Sequence, residues 1–209
     1  MISKRMRTDH IGSFLRPQSL IEAFVSRGKN EIDDAALEKV QDAAIRDVVA
    51  KQEAVGLEVI SDGEYRRLNW QVSFSDVEGW DLWEGSWRLF LQNPGHDAKK
   101  EEKPKTRGAD AVEVFNVPAT AKLRLSKNFP LKEYNSLKSA TKNPAKAMIM
   151  GPDRVAQMCD IPNSGPSYET ADAFLKDVTK IQNEMVGELV DEGCEYIQID
   201  EPSYTGYVD

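Results

Sequence analysis

The sequence of 209 residues predicts an α/β fold with parallel strands, of the (β/α)8 barrel type. Short apolar runs alternate with helical patterns along most of the chain. Polar residues follow the apolar runs directly, at the carboxyl ends where parallel α/β folds bind ligands. Neither standard glycine-rich phosphate loop is present. We count about five strands against the eight of a closed barrel, so residues 1–209 are expected to form one partial barrel domain.

The composition excludes several classes of protein. A net charge of −8 argues against broad binding of nucleic-acid backbones. No apolar run approaches the roughly 18 to 20 residues of a membrane helix, and residues 1–7 are basic without the apolar segment of a secretory signal. Cys159 and Cys194 lack metal-ligand spacing, so we expect two reduced, core-type thiols. These features favour a cytoplasmic protein without nucleic-acid or membrane partners.

The amino-terminal part predicts a short strand that gives way to a loop within residues 8–17, and a helix that Arg16 and Pro17 open. A second helix has acids in its first turn and ends before Gly56. A strand at residues 57–60 then leads into a polar segment at residues 61–67. The apolar helix positions recur at helical spacing. They are Leu20, Ile21 and Phe24 in the first helix, and Leu37, Val40, Ala44 and Val48 in the second.

Residues 68–118 predict a long excursion after the second strand, with a charged, solvated tip at residues 93–108. Its aromatic residues suit either a stacking platform for a flat ligand or a local core beneath the loop, and we favour the local core. These aromatic residues are Trp70, Phe74, Trp80, Trp83 and Trp87.

Predicted strands follow at residues 121–125 and 145–150, and a further strand runs from Cys194 to Ile199. Helices are predicted at residues 131–140 and 168–192. The last strand is expected to be buried on both faces and to end at Asp200 and Glu201. Pro202 then stops the ladder of hydrogen bonds. The two acids suit a site that faces a ligand, or alternatively a cap for the next helix or turn. The apolar stripe of the long helix is Phe174, Val178, Ile181, Met185 and Leu189.

Four motifs in this order resemble the catalytic domain of cobalamin-independent methionine synthase, the 5-methyltetrahydropteroyltriglutamate–homocysteine methyltransferase. The resemblance spans essentially the whole chain and roughly the first five-eighths of the family's barrel. The motifs are His10-Ile11-Gly12-Ser13-Phe14, Ser61-Asp62-Gly63-Glu64-Tyr65-Arg66-Arg67, Met150-Gly151-Pro152 and Gln198-Ile199-Asp200-Glu201-Pro202.

This resemblance implies a methyltransferase that binds homocysteine and a methyltetrahydropteroyl polyglutamate. Ile11, Gly12 and Ser13 would contact the amino acid, and Glu64 and Asp200 would hold its ammonium group. Two carboxylates from separate strands suit a small cation. The further candidates are His10, Asp62 and Glu201.

The resemblance also implies zinc, which would hold the substrate thiol as a thiolate. The family's zinc ligands lie on later strands, so no metal ligand is assigned in this chain. We therefore expect a truncated or split polypeptide, a second chain that completes the barrel, or another role for the short form. An unpaired sheet edge would favour pairing with another copy.

Two alternatives remain open. His10 stands where the synthases usually have a small hydroxyl residue, which favours a paralogue acting on another thiol, such as a coenzyme M transferase type. The lack of assigned metal ligands favours a ligand-binding or structural protein without catalysis.

Overall fold

The computed structural model describes residues 8–82, 86–87, 90–91, 117–202 and 204. Within them the chain is α/β, and its strands form two small sheets. The charged tip predicted at residues 93–108 and the side chains of Trp70 and Trp83 lie outside this description.

The two amino-terminal helices agree with their predictions. Helix α1 spans Gln18–Gly28 and follows Pro17. Helix α2 spans Asp34–Ala54, and the Asp33 side chain caps it by accepting a hydrogen bond from the Ala36 amide. The apolar stripes of the two helices meet, and Leu20, Phe24 and Leu37 are buried there.

The predicted strand at residues 121–125 is not part of the parallel sheet. Strand β1, Val77–Glu78, pairs antiparallel with strand β2, Arg124–Leu125. Gly79 turns the chain beside this pair with a φ of 89°, and its carbonyl accepts a hydrogen bond of 2.8 Å from the Thr120 amide. The apolar character of a segment does not determine which strand it pairs with or in which direction. The β1–β2 pair joins residues 77–78 of the excursion to residues 124–125, which follow it in the chain.

The parallel sheet consists of β3, Lys146–Met150, and β4, Tyr196–Asp200, in the register Lys146↔Tyr196 to Met150↔Asp200. On the other side of β3, Ile60 forms a parallel bridge with Ala145. The strand predicted at residues 145–150 is therefore confirmed, and the strand predicted from Cys194 is confirmed with its start at Tyr196. The segment at residues 57–60 contributes one bridge.

Two expectations about the sheet are wrong. Residues 8–17 contain no strand in the described structure, and Gly12 turns the chain there with a φ of 81°. Strand β4 is not buried on both faces, since Ile199 is 56% exposed and Tyr196 is 39% exposed. The described parallel sheet is thus smaller than the five strands expected.

Helices α3, Phe129–Ala140, and α5, Ala171–Asp191, pack beside the sheet, and the short helix α4, Pro152–Ala156, follows β3 directly. Asn128 and Thr170 cap α3 and α5 with their side chains. The predicted stripe of the long helix is confirmed. Its buried residues include Phe174, Val178, Ile181, Met185 and Leu189.

The excursion contributes to a second core cluster, which confirms the local-core interpretation for Phe74 and Trp80. The Trp80 ring meets the Phe174 ring edge-on with centroids 5.1 Å apart, and its Nε1–H donates to the Val117 carbonyl at 2.8 Å. Trp87 packs instead against Phe24 of the first cluster.

Cys159 and Cys194 are both buried free thiols, as predicted. Burial raises the pKa of the Cys159 thiol. Across the described part of the chain, no helix combines the length and apolar character needed to cross a membrane.

Candidate functional site

Residues 61–68 form a fully buried loop that begins where the Ile60 bridge ends. The Gln52 side chain of α2 pairs with both backbone groups of Ser61. Its Nε2 donates to the Ser61 carbonyl at 2.7 Å, and its Oε1 accepts from the Ser61 amide at 3.0 Å. The amide side chain thus satisfies a buried peptide group that a neighbouring strand would otherwise satisfy.

The turn at Asp62, Gly63 and Glu64 places a carboxylate in an unusual backbone conformation. Glu64 has a φ of 58°, in the left-handed region that costs a residue with a Cβ roughly 1–2 kcal/mol. The Asp62 Oδ1 accepts a hydrogen bond of 2.9 Å from the Glu64 amide and helps to hold this turn. The other oxygen, Asp62 Oδ2, is buried and has no hydrogen-bond partner among the described residues.

The loop after residue 12 docks on this turn, which brings two of the four motifs together. Ser13 Oγ donates to Glu64 Oε2 at 3.1 Å, and the Phe14 amide donates to the Gly63 carbonyl at 3.3 Å. Ile11 is 71% exposed, and among the described residues beyond its two chain neighbours no atom lies within 4 Å of where a Cβ on Gly12 would stand. The backbone before Ser13 is therefore open to a ligand.

His10 lies beside the same loop. Its ring stacks on Phe14 with centroids 3.6 Å apart and an interplanar angle of 11°. Its Nε2 is buried without a hydrogen-bond partner in the described structure. The imidazole therefore carries an unsatisfied polar atom on the loop that holds Ser13.

A buried ion pair between Arg67 and Glu133 of α3 lies behind the turn. The sequence alone does not predict this pair. Arg67 donates from Nε to Glu133 Oε1 at 2.8 Å, from Nη2 to Oε2 at 2.6 Å, and from Nη2 to the Met148 carbonyl at 2.6 Å. Burial raises the pKa of Glu133 to about 7 against the lowering influence of Arg67. A signal was present, because Glu133 occupies a position of the buried stripe of α3.

A second buried charge is Lys146, which the sequence alone does not identify as part of the site. Its side chain is 0% exposed, and Nζ donates to Asp9 Oδ1 at 2.9 Å, to the His10 carbonyl, and to Gln198 Oε1 at 2.9 Å. A lysine at the start of an otherwise apolar strand was the available signal.

Asp200 and Glu201 have different roles at the end of β4. Asp200 is half-buried, and its Oδ1 accepts a hydrogen bond of 2.6 Å from Gln198 Nε2. Glu201 Oε2 accepts a hydrogen bond of 3.1 Å from the Arg154 amide, in the first turn of α4. The capping alternative therefore describes Glu201, although the helix that it caps precedes it in the chain.

The structure brings the predicted residues into two groups. Ser13 contacts Glu64 directly, while Asp200 connects through Gln198 and Lys146 to the backbone of His10. Among the described residues, no hydrogen bond or ion pair joins the two carboxylates of Glu64 and Asp200.

The zinc implied by the resemblance does not fit the described residues. No group of three or more His, Cys, Asp or Glu side chains converges there to hold a metal ion. Cys159 instead contacts Ser164 at 3.5 Å, and Cys194 donates to the Tyr196 carbonyl. We therefore assign no chemical step to a metal.

The described chain is an α/β protein with carboxylates and an exposed backbone segment at the carboxyl side of a parallel sheet, where proteins of this class bind small ligands. Residues 6–77 match the family model described as the catalytic domain of cobalamin-independent synthases. The resemblance to cobalamin-independent methionine synthase is thereby confirmed.

Individual curated proteins and solved structures are also similar to this chain. YxjH of Bacillus subtilis is 25% identical over 95% of this chain and 48% of its own length. The 5-methyltetrahydropteroyltriglutamate–homocysteine methyltransferase of Acidithiobacillus ferrooxidans is 29% identical over 94% of this chain and 22% of its own. The chain therefore spans about half the length of YxjH and less of the methyltransferase.

A solved B12-independent methionine synthase from Shewanella sp. W3-18-1, in complex with selenomethionine, has a TM-score of 0.65 at 19% identity. It covers 92% of this chain and 50% of that one. A structure from Listeria monocytogenes, described provisionally as the same kind of enzyme, has a TM-score of 0.69 at 22% identity. It covers 96% of this chain and 53% of that one, and the two together establish the fold.

Proposed function

We propose that this chain carries the amino-acid-binding part of a methyltransferase that moves a methyl group from a methyltetrahydropteroyl polyglutamate to the thiol of homocysteine. Its parallel sheet belongs to a (β/α)8 barrel in this proposal. Ile11, Gly12 and Ser13 contact the amino acid, and Glu64 and Asp200 hold its ammonium group.

The observation that carries the proposal is the hydrogen bond from Ser13 to Glu64, which unites motifs separated by 51 residues. It joins a hydroxyl beside an open backbone segment to a carboxylate held by a constrained turn. Such a pair offers acceptor oxygens to an ammonium group, while the single hydroxyl hydrogen of Ser13 orients the carboxylate. Held in place before the ligand arrives, it loses little conformational entropy on binding.

Titration calorimetry with L-homocysteine tests the assignment. We expect the wild-type chain to bind, and Glu64→Gln and Asp200→Asn each to lose at least about tenfold in affinity, because a charged partner of the ammonium is removed. Glu195→Gln is the matched control, since Glu195 is an exposed acid just before β4, at the end opposite Asp200.

Two results would contradict the assignment of Glu64 and Asp200 to the ammonium group or the proposed function. Wild-type affinity in both Glu64→Gln and Asp200→Asn, with unchanged circular dichroism, would place the ammonium group elsewhere. Absence of binding by any thiol amino acid would favour a structural role without catalysis.

A second candidate is a relative that acts on another thiol, and the stacked His10 beside Ser13 favours it. An imidazole at this position is larger than a small hydroxyl side chain and has different hydrogen-bonding groups. Thermal unfolding with homocysteine or with 2-mercaptoethanesulfonate separates the two, because a bound ligand raises the melting temperature. Protection by the sulfonate alone would favour the second candidate.

A further inference from the structure

Lys146 connects the two groups of the candidate site. Its Nζ donates to Asp9 Oδ1, to the His10 carbonyl and to Gln198 Oε1. Three acceptors match the three N–H bonds of an ammonium group. A buried cation is strongly destabilising unless it is paired and hydrogen-bonded, so the residues that surround it are held to a definite geometry.

One branch of this network leads to Asp200. Because Gln198 Oε1 accepts from Lys146, the orientation of the amide is fixed and Nε2 must face the other way. There it donates to Asp200 Oδ1 at 2.6 Å. Lys146 and Gln198 lie on the same face of the sheet, two positions apart in the β3–β4 register. Lys146 thus orients Asp200 through a single intermediate side chain.

The other branch leads to the loop that carries Ser13. Lys146 holds the His10 carbonyl and the side chain of Asp9, whose second oxygen accepts from the Tyr196 hydroxyl at 3.1 Å. Three residues after His10, Ser13 contacts Glu64. The same cation therefore anchors the start of this loop.

We propose that Lys146 is a positioning residue, which sets the orientation of Asp200 through Gln198 and the placement of residues 10–13 through the His10 carbonyl. It acts without touching the substrate. This inference rests on the proposed function for its effect on ligand binding, although the geometry itself can be tested without a ligand.

Hydrogen–deuterium exchange of the ligand-free chain tests the geometry. We expect Lys146→Met to raise amide exchange in peptides covering residues 8–16 and 195–202, and Gln198→Met to raise it only in residues 195–202. Exchange in α2 should not change in either variant. Lys142→Met, an exposed lysine shortly before β3, is the matched control.

Homocysteine affinity tests the effect on the site. We expect Gln198→Met to bind about tenfold more weakly than wild type, and the variant that combines it with Asp200→Asn to bind no more weakly than Asp200→Asn alone. A merely structural role for Gln198 would give independent, additive losses instead.

The two measurements separate the possible failures. Unchanged exchange in residues 8–16 and 195–202, or a uniform rise that includes α2, would overturn the positioning role whatever the ligand. If Lys146→Met does not fold, unchanged exchange in Gln198→Met would overturn it. Local exchange changes without homocysteine binding by the wild type would support the positioning role and reject the proposed function.

Discussion

Arg67 and Glu133 are the clearest case in which a single pair of side chains stabilises the region of the site. Both are almost completely buried, and Arg67 also holds the Met148 carbonyl of β3. Asp62 and Glu64 add negative charge close enough to favour the cation. Loss of Arg67 would therefore leave several buried acids without their shared partner.

We predict that Arg67→Met lowers the free energy of unfolding by about 3–5 kcal/mol. The loss should grow with pH. A glutamate with a folded-state pKa above its unfolded value makes stability fall as pH rises from about 4.5 to about 7. Removal of Arg67 raises that pKa further and extends the fall to higher pH, so the loss should be larger at pH 8 than at pH 5.

Urea unfolding at the two pH values measures this difference, with the exposed residue Arg46 changed to Met as the control. An equal loss at pH 5 and pH 8 would mean that Glu133 does not change its protonation in response to Arg67.

At the scale of secondary-structure elements, the residue after β4 is in close contact with the residue before α4. Gly151 precedes α4, and a Cβ built on it would lie 2.2 Å from Glu201 Oε2 and 2.7 Å from Glu201 Cβ. The lack of a side chain at this position lets the Glu201 carboxylate reach the Arg154 amide in the first turn of α4. Space, rather than backbone conformation, requires glycine here, because its φ is −66°.

We therefore predict that Gly151→Ala destabilises the protein by about 1–3 kcal/mol through this clash. Gly187→Ala provides the contrast. Gly187 lies inside α5, and outside the adjacent helix backbone no described atom lies within 4 Å of an added Cβ, so alanine should stabilise the protein by roughly 0.5–1 kcal/mol. Urea midpoints at constant m-value measure both effects, and a neutral Gly151→Ala would contradict the contact.

How far apart in the chain the interacting residues lie explains which elements could be predicted from the sequence. The helices were predicted correctly because their periodicity and caps are local, as in α2 and α5. Residues 121–125 were misplaced because the direction and partner of β2 depend on β1, 46 residues away. Lys146 was missed because its acceptors Asp9 and Gln198 come from distant segments, and no local pattern records them.

At the scale of the whole molecule, two core clusters share their elements. Helix α5 contributes Leu189 to the first cluster and Phe174 to the second, while β3 contributes Ala147 to the first and Met150 to the second. Loss of α5 or of β3 would expose residues of both clusters. We therefore expect the described core to unfold as one cooperative unit.

The buried cysteines allow this prediction to be measured, because Cys194 lies in the first cluster and Cys159 in the second. In the single variants Cys159→Ala and Cys194→Ala, labelling of the remaining thiol by a disulfide reagent should report opening free energies that agree within about 1 kcal/mol. Labelling of one thiol at far lower urea than the other would show two separate units.

Gln52 and Ser61 lie only nine residues apart, whereas Lys146 and Asp9 are separated by 137. Closing the short segment costs less chain entropy than closing the long one. The site loop can therefore dock on α2 early in folding, while the cation network forms only after most of the chain is in place. Destabilising changes at Gln52 should slow folding, and those at Lys146 should mainly speed unfolding.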